Sequence, residues 1–399
     1  MLSFHSFILV LSLLGALIAP ASALAERTVD LFTVEALVVN QSEEARRKVA
    51  SSALETIFVR LSGTKTVLEH PLVRRAVNNT SRYLYEFRYQ STEETITILG
   101  EEQPANSLLM RFSQTPLENI LKQAQLPLWS ENRPEVLLWT AVQSDFEKAY
   151  DTEQGLVEKS LRAAAEDRGL PILRPILDLQ DRSALPAPLL WALDDSSILA
   201  AASRYPFDGV LAGRFRRDSS GWVLNALLLH NERTFYFNSR GERLDEVSRD
   251  VVNKVTDYFA NIYAVVPGTN TSDNQMVIQV NNVTNFSDYR QLLDYLDSLS
   301  LVQSSSLSRV NYPHLQVKIE LNDELDKLLS ILALNQKLVQ VEPAEPSWQP
   351  LEVIKIATLI STDSNSIDSP VVDSWMPPGT ESAAEPVEPA LPVLEFLWQ

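Results

Sequence analysis

The chain has no cysteine. That absence excludes disulfides, thiolate nucleophiles, thiolate zinc sites and a lipidated N-terminal cysteine. Glycine is scarce, at 11 of 399 residues, and no glycine-rich phosphate-cradling loop can be found, which argues against nucleotide binding. Histidine occurs four times, and His70, His230 and His314 stand far apart, so a zinc site would need all three to converge in space. Cationic side chains are in the minority, 34 Lys and Arg against 52 Asp and Glu, for a formal net charge of −18. Phosphate backbones and anionic lipid surfaces demand the opposite balance, so nucleic acid and broad electrostatic membrane adhesion are excluded as partners. Nucleophile-elbow and His-Glu-x-x-His patterns are missing too, and no Ser-x-x-Lys occurs with supporting motifs.

Long apolar runs are equally rare. The one that stands out, Phe7–Ile18, is followed by Pro20 and the small-x-small sites Ala21-Ser22-Ala23 and Ala23-Leu24-Ala25, and charge resumes at Glu26 and Arg27. This is the order of a secretory signal peptide with a core too short to span a bilayer permanently. The basic residue usual ahead of the core is missing, which leaves an uncleaved anchor or a buried first strand as alternatives. No later run reaches about 18 apolar residues, so no transmembrane span is expected in the mature chain. Export without cysteine fits a bacterial periplasm, with Glu26 as the mature start.

After residues 1–25, periodicity divides the chain into three mixed α+β modules and a tail. Residues 26–128 read as a strand over 28–39, a helix capped by Asn40 or Ser42 through about Leu61, and a short helix at 71–78. Strands at 83–89, 95–99 and 108–112 follow, then a helix at 116–125. Residues 129–266 open on the apolar strand Val136–Val142, whose unbroken hydrophobicity implies burial on both faces. A helix at about 154–168, a strand at 172–177, a helix from Asp194 or Asp195 to Arg204, three strands between 210 and 238, and a helix over 244–263 complete a mixed sheet with flanking helices. Pro267–Asn274 is a polar linker. Residues 275–342 give β-α-β-β-α-β, the ferredoxin-like order, and should fold alone, though marginally at that size. Beyond, 343–399 holds nine of the 22 prolines with many acidic residues, and 361–392 is expected to be disordered.

Arg133-Pro134-Glu135-Val136-Leu137-Leu138-Trp139, Gly169-Leu170-Pro171 through Pro175 with Leu177-Asp178-Leu179-Gln180-Asp181, and Ala202-Ser203-Arg204-Tyr205 through Asp208 to Gly213-Arg214-Phe215, with Gly221-Trp222 beyond, together carry a resemblance. The chain resembles an uncharacterised family of exported proteins from Gram-negative bacteria, known only as a domain of unknown function, over about residues 26–342. The resemblance implies the compartment and brings no catalytic residues. The middle module's element order is also similar to periplasmic modules of lipoprotein activators of cell-wall synthases and of Tol-system proteins, a likeness of architecture only.

The densest carboxylates are Asp178, Asp181, Asp194 and Asp195, with Asp208 close in sequence. Two carboxylates in a cleft can act as acid and base on a glycosidic bond, or hold Ca²⁺. That makes Asp178, Asp181 and Asp195 the catalytic candidates. The structural account explains the same residues as helix caps, a pre-Gly209 turn and a post-strand loop, and their spacing matches no calcium loop. Among the aromatics, Trp129, Trp139, Trp191 and Trp222 concentrate in the middle module with Tyr205. Trp139 lies in an apolar strand and reads as core, whereas Trp191, in the stretch Pro186–Leu193 taken as a loop, and Tyr205 are the binding candidates. The basic cluster Arg46-Arg47-Lys48 with Arg74-Arg75 could meet an anionic partner, but Glu43 and Glu44 beside it also make it a solvated helix face. The last apolar cluster, Val393–Trp398, is either frayed or docks, with Leu394, Phe396 and Trp398 as binding candidates: extended, as a strand on a sheet edge, or coiled, in a groove through Leu394, Leu397 and Trp398, onto this chain or onto another envelope protein.

These readings converge on a soluble periplasmic α+β protein that binds an envelope protein or glycan without catalysis, and they call for no cofactor and no metal. A cell-wall or polysaccharide hydrolase using the loop carboxylates and an envelope assembly or secretion accessory factor are the rivals. A hydrolase would place Asp178 or Asp181 in a deep pocket with a second carboxylate; an adaptor would expose an aromatic or apolar patch. N-terminal sequencing of the cell-derived protein should begin at Glu26; a retained Met1 in the membrane fraction would contradict export by a cleaved leader.

Overall fold

In a computed structural model, residues 29–98, 101–144, 147–151, 155–267, 275–341 and 393–399 are described. The expected leader, most of the linker after Pro267, and the Pro- and acid-rich stretch up to Pro392 lie outside them. The chain is mixed α+β, with three mixed or antiparallel sheets and their helices. Contacts gather it into two compact units. Among the described residues, one comprises those up to Arg60, Asn79–Ser113 and Ser130–Thr256; the other comprises Leu61–Asn78, Gln114–Trp129 and those from Asp257 onward. No helix among the described residues is long and apolar enough to cross a membrane.

The first unit holds two sheets. In the smaller, β1 (Thr33–Val38) pairs antiparallel with β3 (Glu101–Phe112), which pairs with β2 (Leu84–Ile98). The short strands expected at 83–89 and 95–99 are one 15-residue strand. The interruption in pattern has a local cause. Pro104 sits opposite Thr95, where it cannot donate to the ladder, and the register slips between Ser91 and Thr95. Leu108, Met110 and Phe112 alternate as the buried face of β3. Helix α1 (Glu43–Ser62) begins where the Ser42 hydroxyl accepts from the Ala45 N–H at 3.2 Å, and Asn40 Oδ1 in turn accepts from the Ser42 N–H.

The larger sheet runs β5-β4-β7-β8-β9, from β5 (Glu147–Tyr150), β4 (Val136–Ser144), β7 (Gly209–Asp218), β8 (Gly221–His230) and β9 (Arg233–Gly241), with β6 (Ile172–Leu173) pairing the start of β4. β4 is parallel to β6 and β7, and the remaining pairs are antiparallel. The strand expected over 172–177 stops after two residues, because Pro175 offers no N–H and the backbone turns at Leu177, φ 57°. Two helices unforeseen in the sequence follow, Leu179–Ala184 and Ala187–Ala192. Pro188 reads as a loop signal but stands in the first turn of the second, where a missing N–H costs nothing. The expected helices appear as Leu156–Arg168, Asp195–Ala202 and Leu244–Tyr263.

One guanidinium joins these parts. Arg133 is 1% exposed and donates to the carbonyl oxygens of Arg60, Arg168, Gly169 and Ser130. Arg60, also buried, donates to the carbonyls of Thr33 (2.8 Å) and Glu166 (3.0 Å). Both arginines therefore sit at helix C-termini, where unpaired carbonyls concentrate negative partial charge. Burial, and the neighbouring Arg60 and Arg168 charges, hold the Arg133 guanidinium well below its ordinary pKa. Gly169 closes the helix Leu156–Arg168 at φ 62°, and a Cβ there would stand 2.9 Å from Arg133 Nη1.

The second unit contains a five-stranded sheet in the order β11-β12-β10-β14-β13. Its strands are β10 (Gln275–Asn281), β11 (Val302–Asn311), β12 (His314–Leu321), β13 (Leu338–Gln340) and β14 (Val393–Trp398), with helices Phe286–Ser298 and Leu325–Asn335. The ferredoxin-like order is present over 275–340, with a further strand placed inside it. β14 runs parallel to β10, from Val277 opposite Val393 to Asn281 opposite Leu397, and antiparallel to β13, with Leu338 opposite Trp398. β13 pairs with β14 alone, so a fragment ending at residue 342 lacks the strand that joins it to the sheet. Independent folding of this module accordingly calls for 393–398 as well. Within β14, Leu394, Phe396 and Trp398 turn inward and Val393, Glu395 and Leu397 outward, a period of two that settles the strand against the helix alternative.

Three substitutions probe these joints. Gly169→Ala should destabilise by about 1–2 kcal/mol, because a left-handed backbone must accept a Cβ pressed against Arg133. Phe396→Ala should cost roughly 3–5 kcal/mol as a core cavity, whereas Val393→Ala on the outer face should cost less than about 0.5 kcal/mol. Denaturant titration of the full chain measures all three.

Candidate functional site

The carboxylates that the sequence offers for catalysis are drawn together in the first unit and consumed there. Asp178 caps the helix Leu179–Ala184, its Oδ1 accepting from the Asp181 N–H at 2.9 Å. Arg204 forks onto both acids. Its Nη1 lies 2.7 Å from Asp178 Oδ1 and 2.7 Å from Asp181 Oδ1, and its Nη2 lies 2.7 Å from Asp178 Oδ2. Asp181 is 1% exposed, and its Oδ2 accepts from the Leu177 N–H and from the Tyr205 hydroxyl. That hydroxyl accepts in turn from the Ile176 N–H at 2.9 Å. The hydrogen bond from Arg204, then that from the Asp181 backbone, hold the Asp178 carboxyl far below the usual carboxylate range. Burial raises the Tyr205 phenol, and its bond to Asp181 raises it further.

All four carboxylate oxygens thus have donors. A general acid must carry a proton near neutrality, and a nucleophile or base needs a free lone pair directed at substrate. The depressed Asp178 carboxyl holds no proton near neutrality, and Asp181 is buried with Arg204 and Tyr205 against it. Asp195 lies apart from the pair and only accepts from the adjacent Ser196 N–H. The cap of the helix Asp195–Ala202 is Asp194, which accepts from the Ser197 N–H at 2.9 Å. Tyr205 packs edge-on against Trp139 at 6.4 Å between centroids, so its ring serves the core while its hydroxyl holds Asp181.

Trp191 has a different setting. The helix Ala187–Ala192 corrects its expected place in a loop and leaves it half-buried at the rim of the larger sheet. Arg214 Nη1 donates to the Trp191 carbonyl at 2.9 Å, and the guanidinium carbon lies 5.8 Å from the indole ring. Lys148 Nζ, from β5, lies 5.2 Å from the same ring. Arg214 and Arg216 are two apart on β7, and Arg214 is register partner to Asn225 of β8, which places the three on one sheet face. Trp191, Arg214, Arg216 and Asn225 line a cavity of about 260 Å³. Arg216 also reaches Asp218 at 3.2 Å, with its side chain 43% exposed. An indole face flanked by Lys148 and Arg214, with Arg216 lining the same cavity, in a chain of net charge −18, is suited to an anionic group attached to a flat apolar ring. Arg214-Phe215-Arg216 carries the sequence signal for this face, alternate cations either side of a buried Phe.

The other candidates have local roles. His70 Nδ1 accepts from the Leu72 N–H, and His314 Nδ1 meets Asn281 Oδ1 at 2.7 Å. Burial lowers the His230 imidazole pKa. Among the described residues, no three His, Cys, Asp or Glu side chains gather as metal ligands. Arg46 lies over the Phe87 ring at 4.3 Å, a contact between α1 and β2. Leu394, Phe396 and Trp398 are built into the chain's own sheet.

Comparison with known proteins adds one finding. Residues 25–130 match a family described as a domain of unknown function, DUF8605. The match ends before the stretches between 133 and 222 that carry the resemblance read from the sequence. No curated protein matches the chain.

The two aspartates that begin the helix Asp195–Ala202 can be told apart. Asp194→Ala should destabilise by about 1 kcal/mol, and Asp195→Ala should stay within roughly 0.5 kcal/mol of wild type. The Asp178 ion pair sets a pH window. A carboxyl depressed in the folded state stabilises at pH above its ordinary value near 4 and loses that contribution as pH falls below it. Thermal melts between pH 6 and pH 2.5 should fall steeply in wild type and less steeply in Asp178→Asn.

Proposed function

We propose that this chain is a non-catalytic binding protein of the bacterial cell envelope, exported to the periplasm, whose ligand is an anionic envelope glycan. The cavity floored by Trp191 and flanked by Arg214 and Arg216 carries the reading. A sugar ring can lay its apolar face on the indole while a carboxylate or phosphate substituent takes the guanidinium donors. The leader-like segment before Glu26 and the resemblance to exported Gram-negative proteins support the compartment. The clamping of Asp178 and Asp181 by Arg204 argues against the hydrolase alternative, because the two acids proposed for cleavage serve as structural acceptors. Accessible aromatics elsewhere in the first unit, Tyr85 at 63% and Phe87 at 44%, leave room for a protein partner alongside the glycan.

Calorimetric titration with acidic and neutral oligosaccharides of equal length tests this. Acidic ligands should bind, neutral ones at least tenfold more weakly; Arg216→Ala should weaken binding at least tenfold without lowering the melting temperature, and Trp191→Ala should weaken it at least tenfold at a temperature where the variant remains folded. Equal binding by wild type and Trp191→Ala, or release of fragments from peptidoglycan that is lost in Asp178→Asn, would overturn it.

A further inference from the structure

The slot between β10 and β13 is a strand-acceptor site filled by a segment 52 positions beyond the last described residue of its neighbour, Val341. We propose that β14 is exchangeable, and that the same slot accepts β14 from a second copy of this chain, joining two copies by reciprocal strand exchange. The strand is the ligand and the slot its receptor. Pairing runs along both sides, from Val277–Val393 to Asn281–Leu397 against β10 and from Gln340–Phe396 to Leu338–Trp398 against β13. Val341 N–H extends it by donating to the Glu395 carbonyl at 2.9 Å, and the Gln399 N–H reaches the Lys337 carbonyl at 3.2 Å. Side chains make the fit specific. Phe396 is 1% exposed and Trp398 8%, and the Trp398 ring lies 6.1 Å from that of Tyr295. Asn282 Nδ2 donates to the Trp398 carbonyl at 2.9 Å.

Nothing in these contacts depends on which chain supplies the strand. Residues 342–392 could span up to about 170 Å if fully extended, so the connection does not restrict the strand to its own body. A second copy offers an identical slot, and reciprocal exchange conserves every contact while forming a closed pair. The sheet also has a side that can open. β13 contributes only three residues, pairs with nothing but β14, and leaves Val339 39% exposed. Displacing β13 breaks a short ladder, whereas the β10 side keeps its pairing with β12.

Two measurements on the full-length chain test this. In the first, a Phe396→Asp, Trp398→Ala variant, whose own strand cannot fill the slot, is titrated with a fluorescent peptide of residues 392–399. Saturable capture is expected, at least a hundredfold tighter than capture by wild type, whose slot is occupied; a peptide carrying Phe396→Ala should bind at least tenfold more weakly. If the variant is partly unfolded, the peptide should raise its melting temperature. Failure of the peptide both to bind and to restore melting overturns the proposal. In the second, two differently tagged wild-type copies are refolded together at several hundred micromolar and then purified through one tag. Mixed pairs are expected for wild type and not for the Phe396→Asp, Trp398→Ala variant. If wild type stays monomeric at every concentration, or mixed pairs form equally well without Phe396 and Trp398, exchange between copies is refuted even where the peptide binds.

Discussion

The Arg133 guanidinium is the interaction on which the first unit depends. A charge with 1% exposure is costly unless its donors are met, and here they are met by carbonyls at the ends of two helices rather than by a single carboxylate. Three consequences follow from that geometry. The C-terminus of α1 is tied to the C-terminus of the helix Leu156–Arg168, although about a hundred residues separate them in sequence. β1 is held through Arg60 and the Thr33 carbonyl. Gly169 is fixed, since both its left-handed backbone and its closeness to Arg133 leave no space for a side chain. Lysine could not replace the planar fork that reaches these oxygens from one position.

A second arginine plays the corresponding part around the larger sheet. Arg204 leaves the end of its helix to clamp the cap residue Asp178 and the buried Asp181, and Tyr205 beside it closes the last acceptor. The chain thereby converts an acidic cluster into a rivet. The neighbouring face of the same sheet, where Arg214 and Arg216 project beside Trp191, retains exposed cationic groups at the surface. Within one unit, then, Asp178 and Asp181 are tied to Arg204 while Arg214 and Arg216 stand beside Trp191.

Much of the architecture was legible from periodicity and caps. The 3.6-residue stripes of the helices 43–62 and 244–263, the alternation Leu315-Val317-Ile319-Leu321 and the β-α-β-β-α-β order all lie where the apolar spacing puts them. Elsewhere a local signal prevailed over a distant one. The polar stretch Gln90–Glu94, where the register slips, made one long strand read as two, and Pro186 and Pro188 made a helix read as a loop, because proline marks interruptions without saying which side of a helix start it occupies. The placement of β14 could not be read, since a six-residue apolar cluster fits a strand or a helix face and names no neighbours. The site failed to show for a related reason. Spacing brought Asp178 and Asp181 together correctly, but their chemistry was decided by Arg204, more than twenty residues away, and Trp191 meets Arg214 only through the sheet register.

The central claim is that ligand meets the Trp191 face and leaves the aspartate pair untouched. Two-dimensional amide and side-chain NMR of the full-length protein, recorded during addition of an acidic oligosaccharide, tests it most directly. The account predicts shifts confined to the Trp191 indole, the Arg214 and Arg216 guanidinium groups and the Asn225 amide. Shifts centred instead on Asp178, Asp181 and Tyr205, with the Trp191 signal unmoved, would contradict it.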